Sequence, residues 1–218
     1  MPRTQGKKTR NRLIGAGLLV VLLVAMILST KFLTPAELAA ALPKPFEPAA
    51  VAKGLYTKAE SEVASKASPL GDVITGVQSD PKAAAEKFGA VAPNESTWVF
   101  AVRASGVVTD VTDQSVRLKI PGVPNETAVI VPTDVAIQGT VVRDGMGFKF
   151  ADAPGQTDYQ YVGDEIKKLM QAAVQEQASG ITKGKQIQVI GMISVQNNGA
   201  PQPKAKPVNV QPIKIEVG

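Results

Sequence analysis

The 218 residues carry 24 lysines and arginines against 19 acids, a net charge of +5, with no histidine and no cysteine. Without cysteine there are no disulfides, thiolate nucleophiles or thiolate metal sites, and without histidine the usual general base and commonest metal ligand are missing. Five of the cations (Arg3, Lys7, Lys8, Arg10 and Arg12) fall in the first twelve residues, leaving 19 cations against 19 acids and no basic excess for nucleic acid.

Leu13–Leu28 follow as an unbroken run of apolar and small residues, eleven of the sixteen being Leu, Ile or Val. A bilayer core of roughly 30 Å takes about 20 helical residues. The run therefore predicts a transmembrane anchor over 13–33, with Leu13, Leu18, Leu22 and Leu28 in the lipid. Lys31 would snorkel to the interface while Phe32 and Leu33 complete the span. A basic tail over 1–12 keeps the N-terminus cytoplasmic and sends the C-terminus outward. A cleaved signal peptide is the alternative, but Thr30-Lys31-Phe32 follows the apolar run where small residues are needed.

Pro35, Pro43, Pro45 and Pro48 punctuate a spacer, and residues 34–92 read as spacer plus helical segment. One helix is expected over Pro48–Lys66, with Val51, Leu55, Ala59 and Val63 on its apolar stripe. A short one is expected over Leu70–Val77. Another runs from Asp80 as N-cap, through Pro81 in the first turn, to Gly89 as the stop.

The period changes to two in the β-rich part, 93–218. Strands are expected from Thr97 past Gly106 toward Val111, at Val116–Ile120, Ala128–Val131, Val135–Val142, Ile187–Val195 and Val208–Val217. Asp144-Gly145 reads as a type I′ hairpin turn, with Phe148 and Phe150 on one face of the next strand. Val162, Ile166, Leu169, Met170, Ala173 and Val174 mark a helix stopped near Gly180. Curved, Gly-interrupted antiparallel strands with a helix before the closing strand predict an α+β chain built on a Greek-key barrel of OB type. An open sheet packed by helices is the competing arrangement.

Candidate chemistry is sparse. Arg143 and Asp144, beside the expected turn and near two aromatics, could form a polar rim for a sugar or a partner loop. An exposed turn is the plainer reading. Asp110 and Asp113 lack the dense oxygen set that calcium needs. Ser61, Ser65, Ser105 and Lys149 show no nucleophile–base arrangement. No catalytic activity and no cofactor are expected. Pro93-Asn94-Glu95-Ser96 and Pro124-Asn125-Glu126-Thr127 match glycosylation sequons, but read as polar turns entering strands.

Several segments resemble an uncharacterised bacterial family of periplasmic lipoproteins. They are Phe46-Glu-Pro-Ala-Ala-Val51, Asp80-Pro-Lys-Ala-Ala-Ala-Glu-Lys-Phe-Gly89, Gly139-Thr-Val-Val-Arg-Asp144, Phe148-Lys-Phe150, Gln156 with Tyr159 and Val162, and Lys183-Gly-Lys185. The resemblance spans about Leu33 to Val195. It implies an accessory role beside sugar-type ABC transporters, with a permease or solute-binding protein as partner, and adds Gln156 to Arg143 and Asp144 as ligand-binding candidates. The chain departs from the pattern in having no lipid-bearing cysteine, and Gly155 stands where an Asn tends to precede Gln. Two functions follow: a membrane-tethered accessory or binding module, or an envelope scaffold without a small ligand.

Overall fold

The computed structural model describes residues 5–30, 34, 35, 37, 38 and 45–218. The chain forms two compact units, Met1–Pro45 and Phe46–Gly218. In the first, α1 (Gln5–Ser29) is one continuous helix. From Ile14 to Leu28 its large apolar side chains are all exposed, Leu28 by 82%. Among the described residues no helix is long and apolar enough to cross a membrane. Ile14–Leu28 spans roughly 22 Å, short of the roughly 30 Å needed. Residues 31–33, expected to finish the span, and Pro43 of the spacer lie outside the described residues.

The second unit opens with three helices: α2 (Pro48–Lys66), α3 (Leu70–Ser79) and α4 (Pro81–Lys87). The buried stripe of α2 is Ala52, Tyr56, Ala59 and Val63, with Val51 and Leu55 only half-buried, so the helix is rotated slightly from the expected face. Burial raises the Tyr56 hydroxyl pKa to about 12, with the Glu60 carboxylate adding to the effect. The unfolded phenol ionises near 10, so stability is whole below pH 10 and falls between pH 10 and 12. Tyr56→Phe is expected to escape about 2 kcal/mol of this loss, read by comparing urea midpoints of the two proteins at pH 9 and pH 12.

At the start of α4 the Asp80 carboxylate accepts from Lys82 N (3.1 Å) and Ala83 N (3.0 Å), and past its end Gly89 takes a φ of +62°. Asp80→Ala leaves both donors without their cap and is expected to cost about 1 kcal/mol in chemical denaturation.

Eight strands make one curled sheet: β1 (Ser68–Pro69), β2 (Val91–Asn94), β3 (Thr97–Val111), β4 (Ser115–Lys119), β5 (Val129–Pro132), β6 (Gln186–Gln196), β7 (Val208–Asn209) and β8 (Gln211–Val217). The main path runs β7-β5-β4-β3-β6-β8, with β1 and β2 also on β3. β3 pairs antiparallel with β6 from Thr97↔Gln196 to Val107↔Gln186, then with β4 from Val107↔Lys119 onward. Register shifts between Val108 and Asp110 on β3 and between Ile190 and Gly191 on β6 bend these strands and favour the curl. The sheet's ends meet on one segment: β7 pairs parallel with β5, Val210 N donates to Ile130 O (2.8 Å), and β8 pairs antiparallel with β6.

Between β5 and β6 lie α5 (Gly139–Gly145), a 3₁₀ turn (Phe150–Asp152) and α6 (Gln156–Gln177). α6 buries Val162, Ile166, Met170 and Val174 at helical spacing, and it packs against α2, α5 and β8. Here the sequence reading is corrected. Val135–Val142 is not a strand, and Asp144-Gly145 is the last turn of α5 rather than a hairpin. Within α5 the adjacent Val141 and Val142 are both buried, as neighbours on a helix can be and neighbours on a half-buried strand are not. Phe148 and Phe150 accordingly share no strand face.

Candidate functional site

The last turn of α5 places Arg143 and Asp144 against the first turn of α6. The Asp144 Oδ1 accepts from Arg143 Nε (2.9 Å) and the Tyr159 hydroxyl (3.1 Å), and forms an ion pair with Arg143 Nη2 at 2.8 Å. Arg143 Nη1 donates to the Tyr159 carbonyl at 2.9 Å, and the guanidinium carbon sits 3.6 Å from the centre of the Tyr159 ring. Phe148 stacks on Tyr159 at 6.0 Å and 14°, and Phe150 meets its edge at 5.6 Å and 73°. Burial, and after it the Asp144 charge, raise the Tyr159 phenol pKa, partly opposed by Arg143. The phenol therefore stays a hydrogen-bond donor at neutral pH.

This geometry decides what Arg143 can do. Its side chain is only 7% exposed; Nε and Nη1 are hydrogen-bonded within the protein and Nη2 is ion-paired with Asp144. A guanidinium so engaged is a brace between α5 and α6, with little left to offer a ligand. Of the three ligand candidates, Arg143 and Asp144 come together, with Asp144 partly exposed. Gln156 is exposed at the start of α6 and makes no hydrogen bond to either. Tyr159 is the residue that chemistry-by-type missed. Its ring and hydroxyl lie back on Arg143 and Asp144, while Gln156, one turn earlier at the helix start, is exposed.

The other polar candidates are spent locally. Ser61 and Ser65 donate to carbonyls of their own helix, and Ser105 bonds Gln188 Oε1 at 3.1 Å. Asp110 pairs in register with Arg117 on β4. Among the described residues no group of three His, Cys, Asp or Glu is placed to hold a metal ion.

The family model of the predicted periplasmic lipoproteins (DUF2291) matches residues 19–216. The chain belongs to that family. Membership gives it an extracytoplasmic setting and no known reaction. These 218 residues contain no cysteine to carry a lipid. None of the curated proteins matches the chain. Among solved structures, an OB-fold protein from Thermotoga maritima aligns with a TM-score of 0.66 at 15% identity, over 80% of this chain and 100% of that one. At that identity the likeness speaks for the fold alone, an OB-like arrangement in agreement with the curled sheet and its inserted helix.

Proposed function

We propose that this chain is a single-pass membrane protein whose body acts outside the cytoplasm as a non-enzymatic accessory to an ABC-type sugar uptake system. The carrying observation is the α1 surface, where Ile14, Leu18–Val24 and Met26–Leu28 are 48–82% exposed. A contiguous apolar surface of that kind is untenable in water and is covered by lipid. The basic residues before it orient the tail inward. With no cysteine in the chain, this helix takes over the attachment that a lipid gives in the family. The transporter association rests on the family resemblance, and the non-enzymatic role on polar groups committed to internal bonds.

Crosslinking in native membranes followed by capture of the full chain is expected to recover a permease or solute-binding subunit. Recovery of the chain free of any transporter component, under conditions that keep a known transporter intact, would discard the association. Intact-mass measurement starting downstream of Leu33 would discard the anchor. The two halves of the proposal thus fail separately.

A further inference from the structure

A cavity of about 150 Å³ opens between α3, β6 and the 197–207 connection that leads into β7 and β8. Ile74, Val77, Val141, Ile193 and Val195 form an aliphatic side, and Gln78, Gln138, Gln202, Lys206 and Asn209 a polar one. No aromatic ring and no carboxylate lines it. Gln211 lines it as well, 2% exposed. The Gln211 Oε1 accepts from the Gln138 backbone N–H at 2.8 Å. Its Nε2 has no hydrogen-bond partner among the described residues. No side-chain nitrogen or oxygen that is fully cut off from solvent lacks a partner, so this Nε2 keeps its access through the cavity.

Water reaches this amide donor, so a ligand acceptor that enters the cavity replaces solvent on it. At the rim, Lys206 Nζ is held 3.3 Å from Gln196 Oε1 and 3.2 Å from Gln202 Oε1, leaving a third ammonium proton unused. Two kinds of donor, a cationic rim and no acid select an anionic acceptor on an apolar body. The aliphatic side gains by covering a hydrocarbon body. The volume matches what holds a single benzene ring.

We infer that this cavity binds a short branched-chain monocarboxylate, its hydrocarbon end among Ile74, Val77, Val141 and Ile193 and its carboxylate on Gln211 Nε2. The site is independent of the anchoring and transporter reading, and its failure would leave that reading intact.

The test is titration of the full chain in detergent micelles with sodium isovalerate, followed through the Gln211 side-chain amide and the Ile193 backbone amide resonances, the latter serving the Gln211 variant. Saturable displacement is expected, with half-saturation near about 1 mM, within reach of a ligand of about seven non-hydrogen atoms. Gln211→Glu keeps the acceptor for Gln138 N–H but turns an oxygen toward the carboxylate, and is expected to weaken binding at least about tenfold. Pro203→Trp, at an exposed position of the 197–207 connection on the cavity wall, leaves the core untouched and should abolish the shift by filling the entrance. Unmoved Gln211 resonances, showing a cavity that holds water only, would overturn the inference. So would tighter binding of isovaleramide than of isovalerate, or undiminished binding by a folded Pro203→Trp protein.

Discussion

Gly139→Ala is expected to destabilise the body by about 3 kcal/mol or more, read as a lower urea midpoint at an unchanged denaturant slope. A β-carbon built on Gly139 would overlap Gly163 O and Lys167 N of α6 and lie 3.0 Å from Lys167 Cα. These are backbone atoms inside a helix, and none can rotate away. The helix propensity gained by alanine, up to about 1 kcal/mol, is smaller than the cost of pushing α5 off α6. Gly163 is the internal control, facing the same crossing from the other side. A β-carbon there would meet Thr140 Cγ2 at 2.9 Å and Arg143 Nη1 at 3.4 Å, the ends of side chains that can move. Gly163→Ala should therefore cost well under half as much. Equal stability of Gly139→Ala and wild type would mean that α5 slides freely, and that the close crossing does not hold it.

That crossing also explains what was hidden in the sequence. Long elements were legible because their periodic surfaces outrun chance. α2 ran over the expected Pro48–Lys66 with its buried face turned slightly, Asp80 and Gly89 bounded α4 as their chemistry requires, and β3 ran its full length. α5 has under two turns, and across it Val135, Ile137, Gly139 and Val141 alternate as a strand would. At that length the two periods cannot be told apart, and β-branched valines lean the wrong way. A glycine that lets two helices touch is a tertiary fact, invisible locally. The closing segment hid a different property. Val208–Val217 reads as one strand, yet its two ends serve opposite edges of the sheet through Val210. Gln211 sits just past that divide, so its burial follows from the sheet's curl and from nothing in its neighbours.

Arg143 reverses its apparent role for the same reason. In a hairpin it would be an exposed rim charge; in α5 it is buried against α6. Arg143→Ala is expected to lower stability by about 3 kcal/mol, at the lower end of what breaking a buried ion pair costs because Asp144 keeps some water. The loss has three parts: the hydrogen bond and ion pair to Asp144 Oδ1, the donor to the Tyr159 carbonyl, and the cation over the Tyr159 ring. A second readout separates this brace from a surface charge. The chain has three tyrosines, and Arg143 holds down a Tyr159 pKa that burial and Asp144 push up. Removing the guanidinium should delay the Tyr159 ionisation further, seen in ultraviolet absorbance against Tyr159→Phe as reference. Asp144→Asn, which keeps an acceptor at Oδ1, should lose less than Arg143→Ala and advance the phenol's titration. If Arg143→Ala instead stayed within about 0.5 kcal/mol of wild type, the range of an ordinary surface substitution, while no longer capturing a transporter subunit, the arginine would be reserved for a partner, and the corner between α5 and α6 would be an interface waiting to be filled.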